Sequence, residues 1–137
     1  MNMKWTCWEN FKRLPGTKHP GVYLIAKFKG KIPSFVQYND PAIVYIGISA
    51  KHTVVNRLSQ FGHTFFSGTP GHDGAKRLAK MVKKAIYSAR YPKWLYFTIV
   101  PVKGRRLVDE MRIQYLERRF IWLYVKRNGR LPMCNKK

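Results

Sequence analysis

Acidic residues are scarce in this chain of 137 residues: six Asp and Glu stand against 27 Lys and Arg, a net charge of +21. The acids are Glu9, Asp40, Asp73, Asp109, Glu110 and Glu117, too few and too scattered to supply the carboxylate cluster of a two-metal phosphodiesterase. Any metal chemistry here falls on one carboxylate. Cysteine is nearly absent. Cys7 and Cys134 show neither zinc-ligand spacing nor CxxC, which excludes a structural zinc module and a disulfide framework. A bridge between the two ends is conceivable, but two reduced thiols in a cytoplasmic protein are the simpler expectation. No apolar run reaches the length of a membrane span, and "MNMKWTCWENF" lacks the apolar core of a signal peptide. There is no internal repeat and no low-complexity tract.

What is present is enough to fold. Hydrophobic residues make up 45% and aromatics 15%, which argues against disorder, and the length suits one domain. A fold gains nothing from a charge of +21, because self-repulsion opposes compaction. The natural counter-charge is a polyphosphate, so nucleic acid is the expected partner; an anionic membrane surface is a distant alternative.

Along the chain, residues 1–20 read as an N-terminal cap in which Trp5, Trp8 and Phe11 pack before "RLPGTKHPG" ends it. "GVYLIAKF" (21–28) and "IVYIGIS" (43–49) read as two strands of an antiparallel pair. The connection 29–42 is long and polar, with room for a short strand around Phe35–Tyr38. Thr53 can cap a helix over about Val54–Gly62. A glycine-rich loop then leads to Asp73, a candidate cap for a helix over 74–91. That helix has an apolar stripe and a polar face carrying Arg77, Lys80, Lys83 and Lys84. "WLYFTIVPV" (94–102) makes a third strand, and 107–126 a long last helix. The order predicts an α+β domain: a small mixed or antiparallel three-stranded sheet flanked by helices.

Two features resist a purely structural reading. Tyr45 and Gly47 interrupt the apolar strand "IVYIGI", although a strand interior needs neither a phenol nor a glycine. Glu117 lies four residues after Ile113 and three before Phe120, on or beside the stripe that the last helix buries. A carboxylate there needs a cation or a hydrogen-bond partner, an arginine such as Arg57 or Arg77 being one candidate. Glu110, one heptad earlier, is a second ligand or a first-turn residue that favours the helix dipole.

These residues fall in the order of a known family. "GVY" at 21–23, "VYIG" at 44–47, Arg57 in "NRLSQF", Glu117 in "LERRFIWLY" and "RLPMCN" ending at Asn135 resemble the successive motifs of GIY-YIG nucleases. The lead-in "RLPGTKHPGVYLI" resembles that of several members, and the resemblance spans roughly residues 14–135, with a core of about 21–135. The chain departs from the pattern in GVY for GIY, in the longer connection 29–42, and in Cys134 before the asparagine. The resemblance implies an endonuclease that hydrolyses phosphodiester bonds in DNA using one magnesium ion, with manganese a substitute, held by Glu117. Tyr23 would be the general base, Tyr45 its neighbour orienting water or phosphate, and Gly47 the opening between them. Arg57 would clamp the scissile phosphate, as its planar fork suits. A histidine would assist, His63 being preferred over His72, and Lys31 is a candidate helper of the base. Asn135 would orient Glu117 or brace the sheet. Arg77, Lys80, Lys83 and Lys84 would hold the DNA backbone without reading sequence. The expected protein is a cytoplasmic monomer or homodimer. The competing reading is a non-catalytic basic protein, ribosome-associated or DNA-coating. It accounts for the charge but not for the Tyr, Tyr, Arg, Glu series.

Overall fold

The computed structural model of the chain describes residues 3–82 and 92–136. Its framework is an antiparallel sheet of four strands: β1 (Thr6–Cys7), β2 (Gly21–Lys27), β3 (Ile43–Ser49) and β4 (Leu95–Pro101). They lie in the order β1-β4-β2-β3. Among the described residues three α-helices complete it: α1 (Val54–Ser67), α2 (Asp73–Met81) and α3 (Leu107–Asn128). The fold is therefore α+β, with one strand more than the sequence predicts. The extra strand is β1, two residues pairing with Tyr96 and Phe97. Two residues are too short for the period-2 pattern to register. The rest of the N-terminal cap is two short 3-10 helices, Trp8–Arg13 and Pro15–Lys18.

β2 is central and the most apolar strand, and alternation along it divides the core in two. Tyr23 and Ile25 face α1 and α2, packing with Val54, Leu58, Phe61, Phe65, Ala75 and Leu78. Val22, Leu24 and Ala26 face the other way, onto Ile113, Phe120, Ile121 and Tyr124 of α3. A bulge in β3 decides which way its side chains face. Ile25 pairs with Tyr45 and Ala26 with Ile43, leaving Val44 as the extra residue. Val44 therefore joins the α1–α2 side while Ile43 packs toward α3, as expected of a device that re-aims side chains at a sheet edge. β3 is an edge strand, and the C-terminal tail closes it. Asn135 accepts from the Ile46 N–H and donates to the Ile46 carbonyl, both at 2.9 Å, and the Cys134 N–H donates to the Val44 carbonyl. Both cysteines are free thiols. Among the described residues no helix is long and apolar enough to cross a membrane.

Several expected boundaries shift. No strand forms at Phe35–Tyr38; that stretch is irregular, and Tyr38 stacks on Phe120 with ring centroids 4.0 Å apart. α1 runs on to Ser67, well past Gly62, because Val54, Leu58, Phe61 and Phe65 continue its apolar stripe until Gly68 ends it at φ 75°. The cap of α2 is His72 rather than Asp73: the His72 imidazole accepts the Ala75 N–H at 3.2 Å. Of the helix expected over 74–91, residues 83–91 lie outside the described residues, and with them Lys83 and Lys84.

Candidate active site

Tyr23 stands in the middle of β2 directly opposite Gly47 of β3, and its side chain is fully buried on the α1–α2 side. The glycine is required by space. A Cβ on Gly47 would come within 2.7 Å of the Tyr23 hydroxyl and 2.5 Å of the Tyr45 ring. The same test identifies a residue that sequence reasoning passed over. A Cβ on Gly74, in the first turn of α2, would meet three atoms of the Tyr45 ring at 2.5–2.9 Å. Tyr45 is thus slotted between two glycines, with its ring centroid 6.0 Å from that of Tyr23. A glycine in the first turn of a helix, where it costs helix propensity, was the available signal.

We expect Gly74→Ala to destabilise the protein by about 1–3 kcal/mol, since overpacking against a ring fixed on its other side outweighs alanine's helix propensity. Urea unfolding measures this. Gly30→Ala, with nothing within 4 Å, is the neutral control.

The Tyr23 hydroxyl lies 2.8 Å from Nε2 of His72, which is itself buried and packs edge-on to Phe61 and Tyr45. Burial, with Arg57 nearby, pushes the imidazole pKa from 6.5 down to about 3, so the ring is neutral near pH 7. Because Nδ1 accepts the Ala75 N–H, the proton of the neutral ring sits on Nε2 and is donated to the Tyr23 oxygen. His72 is therefore a fixed donor to the phenol. Its depressed pKa has a consequence for stability. Above pH 6.5 both folded and unfolded chains hold the ring neutral. As the pH falls from 6.5 toward 3, only the unfolded chain takes up the proton, and stability drops by roughly 1.4 kcal/mol per pH unit. Denaturant midpoints measured from about pH 7 to 4 should show this slope, and His72→Gln should flatten it.

Burial raises the Tyr23 pKa well above 10, and Arg57 offsets this only in part. The favour that neighbouring cations lend a phenolate is thus outweighed by desolvation in the resting protein. Tyr45 is only half-buried. Its pKa is raised by burial and by Glu117 and lowered by Arg57 and Arg77. Arg57 projects from α1, held by the Gln60 side chain at 2.6 Å and the Gly71 carbonyl at 3.1 Å. Arg77 was expected on the solvent face of α2. It instead turns inward, its Nε donating to the Cys134 carbonyl at 2.6 Å, and so reaches the site. Beyond His72, a cleft of about 460 Å³ opens between α1 and α2, lined by Phe65, Pro70 and Ala79, with Lys76 and Lys80 among its lining residues.

Glu117 comes from α3 on the other side of the sheet, where it is half-buried, and its charge is felt at Tyr45 of the edge strand. Burial raises its pKa, with Arg118 pulling the other way. Among the described residues no ion pair engages it. Glu110 lies in the first turn of α3. No group of three His, Cys, Asp or Glu side chains that could hold a metal exists among the described residues.

The structure thus brings together Tyr23, Tyr45, Gly47, Arg57, His72 and Arg77, with Glu117 within electrostatic reach. It does not gather His63, which is exposed on α1, or Lys31, exposed in the β2–β3 connection. Asn135 braces the edge strand through Ile46. Lys80 remains on the exposed face of α2. No family model, curated protein or solved structure matches this chain.

Proposed function

We propose that the chain is a GIY-YIG-like endonuclease that hydrolyses phosphodiester bonds in DNA with the help of one divalent ion, magnesium by preference. The observation that carries this reading is the convergence, on one face of the sheet, of two phenols, a neutral histidine and two arginines, with an unpaired half-buried carboxylate of α3 within electrostatic reach of Tyr45, in a protein of net charge +21.

The donor set fits such an ion. Magnesium takes one or two carboxylates and fills its other positions with water and substrate phosphate, so Glu117 without further protein ligands suffices. Bound there, the ion would supply charge stabilisation for the phosphorane and for the departing 3′-oxygen. The chain's own residues do the rest. Arg57 and Arg77 hold the scissile phosphate by charge-assisted hydrogen bonds. Tyr23 takes the proton of the attacking water, acting as a pair with Tyr45, whose ring reaches toward solvent. Tyr23 acts from its phenolate form and becomes the neutral phenol in this transfer; donation from His72 Nε2–H to its oxygen stabilises the phenolate from which the transfer starts. Gly47 and Gly74 fix the tilt of the Tyr45 ring. Lys76 and Lys80 grip the flanking backbone.

The second reading is a DNA-binding protein without catalysis. The deep burial of Tyr23 favours it, because a phenol with a pKa raised well above 10 is seldom ionised near neutral pH and so seldom available as a base. Supercoiled plasmid separates the two. With magnesium, the endonuclease yields nicked and linear forms, and EDTA stops it. A binding protein retards the plasmid in a gel and leaves it intact under every divalent ion.

A further inference from the structure

Helix α3 carries a second apolar stripe that the core does not use. Val108, Met111, Tyr115, Trp122 and Val125 are all exposed, the first four at 57–60%. With the exposed Arg118 they form one series, spaced 3, 4, 3, 4 and 3 residues. That is the heptad spacing of a helix–helix seam. It runs along the helix on the side opposite Ile113 and Phe120, which anchor α3 to the sheet. From Val108 to Val125 the seam rises about 26 Å along the helix. A contiguous apolar stripe of this size on a highly charged protein marks an interaction surface.

The order of residues along the stripe says what covers it. Laid antiparallel on a copy of itself about its midpoint, the series is complementary throughout. Val108 meets Val125 of the second copy, Met111 meets Trp122, and Tyr115 meets Arg118. The first is an aliphatic contact. The second places a thioether on an indole. The third sets a guanidinium on a phenol ring, which gives the one charged member of the stripe a partner. We propose that α3 is the two-fold interface of a homodimer, with the two helices antiparallel in this register. A two-fold contact needs a self-complementary patch, and the stripe is one.

The flanks set the conditions. Arg112, Arg119 and Lys126 each follow a stripe residue by one position. In the antiparallel pair, Arg119 approaches its own counterpart, and Arg112 approaches Lys126 of the second copy. Two copies of charge +21 also repel as wholes. The dimer is therefore weak at low ionic strength and tightens as salt screens these rows, opposite to the loosening expected of assembly by opposite charges. The interface does not depend on the nuclease reading, and its readout is mass rather than cleavage.

Sedimentation equilibrium of the full chain should show its mass rising from one chain toward two with concentration, and rising further with added salt. Trp122→Glu and Met111→Glu should each remain monomeric throughout with unchanged circular dichroism, since both side chains are exposed. In a Cys7→Ser background, Val108→Cys mixed with Val125→Cys should form a cross-chain disulfide on oxidation, whereas Val108→Cys alone should not. A single-chain mass at every concentration and salt would overturn the proposal. So would a dimer indifferent to both glutamates, or one whose Val108→Cys chains couple to each other.

Discussion

Tyr23→Phe should lower the cleavage rate by about 10²–10⁴-fold, the usual contribution of a positioned acid or base, and leave the fold nearly intact. The change removes one oxygen from a fully buried position. His72 Nε2–H loses its partner at 2.8 Å, a loss of about 1–3 kcal/mol, partly offset because a buried phenol no longer has to be satisfied. A urea midpoint shifted by no more than that, together with a rate lost by orders of magnitude, separates chemistry from stability. The pH profile carries the same information. Because burial holds the Tyr23 pKa well above its ordinary 10, the phenolate fraction rises about tenfold per pH unit through the neutral and alkaline range. The wild-type rate should climb with that slope from about pH 6 to 9 at fixed magnesium. The residual rate of Tyr23→Phe should be less steep. Tyr45→Phe should fall between the two, since Tyr45 is less buried and its pKa is raised less strongly.

Glu117→Ala should remove magnesium-dependent cleavage altogether, by ~10³-fold or more, because several kcal/mol of charge stabilisation leave with the ion. DNA binding should survive and even strengthen slightly, as a negative charge is removed from a positive surface. Stability should hold or rise. Burial raises the pKa of this carboxylate and no ion pair among the described residues engages it, so the folded protein gains little from its charge. Such a pattern, with activity gone, affinity kept and stability not lost, is what a functional carboxylate gives and a structural one does not. Had Glu117 been one half of a buried ion pair, its removal would have cost roughly 3–5 kcal/mol.

The sequence announced the carboxylate and Tyr45 for physical reasons, and Tyr23 only through the resemblance of its motif. A glutamate on the buried stripe of a helix, and a phenol with a glycine inside an apolar strand, violate local rules, and such violations concentrate at sites. The strands β2, β3 and β4 were legible because their apolar runs are bounded by Pro, Gly and Asn. Other features depended on three-dimensional closure. His72 could be chosen over His63 only once α1 was seen to run through Gly62 and carry His63 to the surface. Helical spacing assigns Arg77 to the basic face of α2, yet the tail carbonyl of Cys134 draws it inward. Gly74 shows locally only as a glycine in a helix's first turn; the ring that requires it lies on another strand. The bulge at Val44 is likewise set by pairing with β2 and not by any turn residue. The exposed stripe of α3 was hidden by the same helix's buried one: two apolar faces on one helix blur the periodicity that reveals either.

The central claim is that this cluster breaks phosphodiester bonds, and single-turnover cleavage of DNA already bound to excess protein tests it most directly. With a labelled duplex held fully bound, as judged by gel shift, magnesium is added to the wild type, Tyr23→Phe and Glu117→Ala. The expected result is strand breakage by the wild type that EDTA abolishes, a rate lower by orders of magnitude in Tyr23→Phe, and none in Glu117→Ala. An intact duplex in the wild-type complex under magnesium and manganese alike would contradict the claim, as would breakage at equal rates in all three proteins.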